Sequence, residues 1–306
     1  MISVMGTENT RAAGYGNIYR LPTLRNLISR VSQFLSLNGI QSHHLDARLI
    51  VTHALGLDPI DIYRKPNLPI DGKSESAVLS LMVRRASGVP TAYIIGIKEF
   101  WSLSITVDER VLIPRPETEI LVEESLAAAR SFTGDMTILE LGTGSGAVSI
   151  ALAMELVAAR IVSTDISPSA LSAAEANISI HGLQDRILFK RGDLFEAIEP
   201  DDRFDLIVSN PPYLTDEEMK CLPPEVGAEP EEALRGGENG LAVIERIVAA
   251  APDYLTAGGF LIFEIGAGQQ DAARKLIERT TGLSLPHTRR DYAGRPRVII
   301  TKRTCQ

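Results

Sequence analysis

The stretch ILELGTGSGAVSIALA, residues 138–153, passes from a β-branched apolar run through a glycine-rich turn into small apolar residues suited to a helix. Such a strand–turn–helix presents unpaired N–H groups at the helix start, and glycine lets a ligand approach the backbone closely. The turn Gly142-Thr143-Gly144-Ser145-Gly146 is therefore a candidate ligand cradle. The string GTGSGA also satisfies the dinucleotide fingerprint G-x-G-x-x-G/A, and taken alone it equally suits a tight structural turn.

Outward from the turn, the next apolar run, RIVSTD, ends in Asp165, 23 residues after Gly142. A carboxylate there can accept hydrogen bonds from both hydroxyls of an adenosine ribose. It could instead cap the following helix, although Ser167 fills that role as well or better. The third run, ILFKRG, leads into Asp193, Leu194 and Phe195. Asp193 can accept from an adenine amino group, with Leu194 and Phe195 covering the base; an ordinary turn residue is the alternative. These strand ends fit NAD and S-adenosylmethionine equally.

From residue 137 onward, strands alternate with helices: TILELG, RIVSTD, ILFKRG, FDLIVSN, FLIFEIG, a weak LSLPHTRRD and RPRVIITK, with helical stretches such as ALSAAEANISIHG between most of them. The pattern predicts an α/β, doubly wound, mostly parallel seven-stranded sheet covered on both faces. The short connection YAGRP makes the final strand antiparallel.

The rest of the chain reads differently. Residues 1–18 show no periodicity and are expected to be a disordered tail. In residues 19–90, apolar stripes (Leu24, Leu27, Ile28, Val31, Phe34, Leu35; then Leu45, Leu49, Ile50, Ala54, Leu57) predict a small helical domain for substrate recognition, an inert cap being the other reading. Residues 91–113 are β-branched and partly alternating, which predicts a β-hairpin linker. Residues 114–306 then form the sheet domain.

A net charge of −8 lacks the broad electrostatic footprint of a non-specific nucleic-acid binder. The two cysteines, Cys221 and Cys305, fit neither a disulfide framework nor a metal motif, and the five histidines show no ligand spacing, so no metal is expected. No apolar run reaches the ~18 residues that span a bilayer, and no signal peptide is evident, so the expected place is the cytoplasm.

The fourth strand end separates the two cofactors. LIVSNPPYLT, residues 206–215, sets Asn210 and Tyr213 on either side of two prolines, Pro211 and Pro212, whose fixed φ stiffens the chain. A planar amide or exocyclic amine is a poor nucleophile carrying two N–H donors. The side-chain carbonyl of Asn210 and the backbone carbonyl of Pro211 can accept both, and these bonds strengthen as positive charge develops on nitrogen. Tyr213 offers a stacking face. A neighbouring sulfonium methyl completes the transfer without strong base or metal, whereas hydride transfer gives no reason for this arrangement. Asn210 thereby borders cofactor and substrate alike.

With these residues in place, the chain resembles the N5-glutamine methyltransferases that modify peptide chain release factors. The resemblance runs from about residue 20 to 302. It rests on VLIPRPETE (111–119), LGTGSGAVSIALA, EPEEALRGGENGL (229–241), FEIGAGQ (263–269) and DYAGRPRV (291–298) as well as Asn-Pro-Pro-Tyr, which adenine-N6 DNA methyltransferases share. It implies the class I methyltransferase fold, S-adenosyl-L-methionine as methyl donor with S-adenosyl-L-homocysteine as product, and the glutamine of the Gly-Gly-Gln loop of class-I release factors as acceptor. It further implies Asn210, Pro211 and Tyr213 as catalytic residues, and Asn210, Pro211, Pro212 and Tyr213 as the substrate contact. The cofactor residues implied are Gly142, Thr143, Gly144, Ser145, Gly146, Asp165, Asp193, Leu194 and Asn210. A monomer without direct nucleic-acid or membrane contact is expected. At Leu194 many family members carry an aromatic residue; leucine covers adenine without stacking. A sister group acting on a ribosomal protein differs at IPRPETE. An adenine-N6 methyltransferase would need a basic groove and usually a target-recognition module, and a decayed scaffold would have lost the glycine turn or Asn210.

Overall fold

The computed structural model describes residues 21–304; the tail expected at residues 1–18 and Cys305 lie outside them. The described chain forms two compact units that part between Ser87 and Gly88.

The first unit is helical: α1 (Leu24–Leu37), α2 (His43–Leu55), a single turn α3 (Asp61–Arg64) and α4 (Gly72–Ala86). Thr23 caps α1 and Asp71 caps α4, each accepting a backbone N–H three residues on. Gly56 ends α2 in the left-handed conformation, which costs glycine no Cβ clash. α1 buries Leu24, Leu27, Val31 and Leu35 while Phe34 stays exposed. α2 is rotated from the expected face: Ala47, Ile50 and Val51 are buried, and Leu45 is 59% exposed. The reason is a charge. Asp46 faces inward too, bound to Arg85 of α4 at 2.7 Å with both side chains almost fully enclosed, and a buried charge must be paired.

The second unit opens with α5 (Thr91–Ile95) and a hairpin, β1 (Ile97–Phe100) with β2 (Leu103–Thr106). Residues 91–95, expected as the start of the hairpin, are thus helical. Pro90 sits at the N-cap, and Tyr93 and Ile94 are buried as neighbours, which alternation does not produce. Nor is the hairpin only a linker. Phe100 and Ile105 are core residues, and the Asn177 side chain accepts from Thr106 N and donates to Thr106 O, both at 2.9 Å.

A 3-10 turn (Pro116–Thr118) leads into α6 (Glu119–Ala129). Then come β3 (Met136–Leu141), α7 (Ala147–Glu155), β4 (Ala159–Asp165), α8 (Pro168–Ile180), β5 (Ile187–Arg191), β6 (Phe204–Ser209), a short α9 (Asp216–Met219), α10 (Ala242–Tyr254), β7 (Leu255–Glu264), α11 (Gln270–Arg279), β8 (His287–Arg290) and β9 (Pro296–Lys302). The seven strands β3–β9 lie in the order β5-β4-β3-β6-β7-β9-β8, parallel except for β9, which runs antiparallel to β7 and to β8. Alternate residues of each central strand enter opposite cores. Ile138, Leu206, Val208 and Ile262 pack with α6, α7 and α8, whereas Leu139, Leu141, Ile207, Leu261 and Phe263 pack with α10 and α11. Both sheet faces are covered, so the strands read as nearly unbroken apolar runs.

Candidate active site

The strand order reverses between β3 and β6, and in open parallel sheets ligands bind outside the carboxyl ends of the strands at that point. Leu141 and Ser209 are register partners there. The glycine turn after β3 and the Asn-Pro-Pro-Tyr segment after β6 therefore emerge side by side.

Between them opens a cleft of about 320 Å³. Its wall includes Gly142, Thr143, Gly144, Ser145, Asp165, Asp193, Leu194, Asn210 and Pro212. Of the expected cofactor residues only Gly146 stands behind it. Gly146 has a φ of +80°, and a Cβ there would lie 3.3 Å from the Ala174 Cβ of α8, so its place is in helix packing. Beneath the turn, Glu140 is buried and accepts from the hydroxyls of Thr143 (2.7 Å), Ser163 (3.2 Å) and Ser149. Burial pushes its carboxyl up to about 7, against the pull of those donors.

Asp165 accepts from Gly144 N and Ser167 N, both at 2.9 Å. It braces the turn and still faces the cleft, and burial raises its carboxyl above the ordinary value. Ser167 caps α8. Asp193 is held by Arg246 of α10 at 2.9 Å. Leu194 lines the cleft in the left-handed region, φ 55°, a costly conformation for a branched side chain. Phe195 does not share its role: it is buried and stacks on Tyr254, ring centroids 4.7 Å apart, on the far side of the strand end.

Asn210 is tied into a buried polar chain. Its Nδ2 donates to Thr118 Oγ1 at 3.2 Å, and the Thr118 hydroxyl donates to Glu264 Oε2 at 2.8 Å. The Tyr213 hydroxyl donates to the other oxygen of Glu264 at 3.3 Å. Burial and then the charge of Glu264 raise the Tyr213 phenol well above its ordinary range, so it stays protonated. Burial likewise lifts Glu264 to about 7, opposed by Thr118, by the charge of Arg297 and by Tyr213.

On the other side of Asn210 a smaller cavity, about 150 Å³, is lined by Pro211, Tyr213, Leu214, Arg115 and Val226. Leu112, Asn210 and Ala233 belong to both walls. Arg115 is paired with buried Glu229 at 2.5 Å, and Glu229 also accepts from Ile113 N. The segment 233–241 clamps the prolines from behind. Leu214 N donates to Leu234 O and Gly236 N to Leu214 O. A Cβ at Gly236 would stand 2.8 Å from Pro212 O, so only glycine fits. Gln269 donates to the carbonyls of Tyr213 (2.9 Å) and Gly240 (3.0 Å). Among the described residues no cluster of His, Cys, Asp or Glu could hold a metal ion, and no helix is long and apolar enough to cross a membrane.

Comparison with known proteins bears on what this site serves. Residues 26–96 match the PrmC N-terminal domain and residues 132–271 a methyltransferase domain. The release factor glutamine methyltransferase of Rhodopirellula baltica is 36% identical over 281 residues, covering 90% of this chain and 95% of that one. That of Geobacter sulfurreducens is 38% identical, with the same coverage. The chain belongs to the release factor glutamine methyltransferase family. The hMettl16 catalytic domain, 17% identical with a TM-score of 0.54 over 73% of this chain and 81% of that one, shares the fold.

Within this family member, Glu140, Thr118, Glu264, Gln269 and Glu229 escaped the reading of single residues, although all but Glu140, which directly precedes LGTGSGAVSIALA, lie in stretches that carried the resemblance. One signal was available: a carboxylate within the last two residues of an apolar strand, as in TILEL (137–141) and FLIFE (260–264), is buried and so must have partners.

Proposed function

We propose that this chain transfers a methyl group from S-adenosylmethionine to the side-chain amide nitrogen, N5, of the glutamine in the Gly-Gly-Gln loop of class-I peptide chain release factors. The observation that carries this reading is the meeting of two cavities at Asn210: a cleft of about 320 Å³ lined by the glycine turn and the Asp165 carboxylate on one side, and a small cavity with Pro211 and Tyr213 on the other. The cleft suits the donor, since glycine backbone, a carboxylate and apolar Leu194 match its polar tail, ribose and base. Bound there, S-adenosylmethionine supplies an electrophilic sulfonium methyl.

The chain's own residues do the rest. Gly142, Gly144 and Ser145 offer backbone to the amino-acid tail, Asp165 accepts from ribose hydroxyls, and Asp193 and Leu194 hold and cover adenine. Asn210 Oδ1 and the Pro211 carbonyl accept the two N–H groups of the glutamine amide. Both acceptors gain strength as that nitrogen loses electron density, which lowers the barrier; the nitrogen, made strongly acidic by its new N–C bond, then releases its extra proton to solvent, so no strong base is needed. Pro211 and Pro212 keep them fixed, Gln269 and Gly236 brace the segment, and Tyr213 stacks on the amide plane. The residues named all come from one chain, so a monomer suffices, and a substrate that works on the ribosome implies a cytoplasmic enzyme.

Transfer of labelled methyl from S-adenosylmethionine, with purified release factor and duplex DNA offered separately, tests the reading. Label in the release factor alone is expected. Label in DNA alone would replace this function with adenine methylation.

A further inference from the structure

Glu264 ends an apolar strand and is 1% exposed. A carboxylate so placed needs a partner for each oxygen, and it has them: Thr118 on Oε2 and Tyr213 on Oε1. The direction of these bonds matters. Above about pH 7, the value to which burial lifts it, Glu264 is an ionised carboxylate that only accepts, so Thr118 spends its single hydroxyl proton on it, as the Thr118 Oγ1 to Glu264 Oε2 bond shows. What remains on Thr118 Oγ1 is lone pairs, and the neighbour that faces them is Asn210 Nδ2 at 3.2 Å. Thr118 is itself buried, 4% exposed.

An asparagine amide is nearly symmetric in shape; its oxygen and nitrogen ends differ only in whether they accept or donate. If the amide turned over, Asn210 would offer two donors to a substrate nitrogen that also carries donors. The prolines hold the Asn210 backbone but say nothing about that rotation. The relay does.

We propose that Glu264, acting through Thr118, is a positioning residue that sets the polarity of the Asn210 amide, holding its nitrogen inward and its oxygen toward the substrate, while the same carboxylate fixes the Tyr213 ring. This rests on the acceptor role given to Asn210 under the proposed function. One buried group thereby ties an acceptor and a stacking ring, from two positions of one loop, to the neighbouring strand.

The test compares Thr118→Val, which keeps shape and loses the hydroxyl, with Thr118→Ser, Glu264→Gln and the Thr118→Val/Glu264→Gln double variant in the full chain. Single-turnover methyl transfer to release factor is measured at saturating donor and pH 8, where Glu264 is ionised. Thr118→Val is expected to lower the rate roughly tenfold, the scale of one lost hydrogen bond, with affinity for S-adenosylhomocysteine unchanged. Thr118→Ser restores most of the rate. Glu264→Gln also slows transfer, because the new amide can accept at only one end. The double variant is no slower than the slower single, since both cut one relay, whereas independent packing defects would multiply. A second arm needs no substrate: the side-chain amide ¹⁵N–¹H signals of Asn210 should move in Thr118→Val and Glu264→Gln and stay near their wild-type positions in Thr118→Ser. Wild-type rate in Thr118→Val, multiplying single effects, or Asn210 signals indifferent to both substitutions would overturn the relay. Should Thr118→Val not fold, Glu264→Gln decides by the same rate and the same signals. A wild-type enzyme that leaves release factor unmethylated would defeat the substrate reading, and the amide signals would still judge the relay.

Discussion

Ser209 at the end of β6 donates its hydroxyl to the carbonyl of Leu141 at the end of β3, 2.8 Å away, and the two residues are partners in the parallel ladder. Each is the last residue before a loop that lines the cleft: Leu141 before the glycine turn, Ser209 before Asn210. The bond ties the two strand ends together where the ladder already makes them neighbours.

Asp165→Ala should weaken binding of S-adenosylhomocysteine by at least about tenfold, since a charge-assisted hydrogen bond is worth ~1.5–3 kcal/mol. The turn loses its brace on Gly144 N as well. Titration calorimetry on the folded variant checks it; unchanged affinity would remove Asp165 from the ribose.

Gly236→Ala should cut methyl transfer while sparing donor affinity. The added Cβ meets Pro212 O and Tyr213 Cα, both backbone atoms at 2.8 Å, so the Asn-Pro-Pro-Tyr loop must shift. Displacements of about 1 Å near a reacting centre can cost ~10²-fold in rate. Equal loss of donor binding would show that the clamp serves the whole sheet end instead.

The two buried acids give a pH dependence of stability with a definite sign. Glu140 and Glu264 are both raised to about 7 from 4.5. The folded state therefore holds protons that the unfolded chain has released, and stability falls as pH rises from about 4.5 to about 7, by up to roughly 3 kcal/mol for each group. Urea midpoints at pH 5 and pH 8 would read this. Glu264→Gln, which cannot titrate, should show a smaller fall than wild type, and an identical fall would mean that Glu264 does not carry the shift.

Tyr213→Phe should keep much more activity than Tyr213→Ala, because stacking uses the ring and the hydroxyl only tethers it to Glu264 at 3.3 Å. Steady-state kcat for the two variants distinguishes them; equal losses would assign the role to the hydroxyl.

Much of this architecture was legible because the decisive residues announce themselves locally. Gly142 to Gly146 need a strand before and a helix after. Asn210 stands out through two prolines that no sheet interior tolerates. Asp165 is marked by its place at the end of the second strand. What stayed hidden depends on which strands become neighbours. Thr118 and Glu264 lie 146 residues apart, and only the pairing of β7 with β6 brings Glu264 beneath Asn210. Phe195 was misplaced because Leu194 takes a left-handed φ that turns the next side chain into the core. The helix at residues 91–95 was missed because β-branched content outweighed the helix-starting Pro90, and the buried face of α2 because its charged pair, Asp46 with Arg85, spans two helices.

The role proposed for Asn210 toward a glutamine amide is open to one direct measurement. Release factor is incubated with S-adenosylmethionine and either wild-type or Asn210→Ala enzyme under single-turnover conditions, and the Gly-Gly-Gln peptide is mapped by tandem mass spectrometry over time. Wild-type enzyme should place one methyl group on the glutamine side chain. Asn210→Ala should lower the rate by ~10²–10³, by analogy with loss of one oxyanion-hole donor, while largely keeping donor affinity. A folded Asn210→Ala enzyme that methylates this glutamine at close to the wild-type rate, or methyl groups found on another residue, would contradict that role.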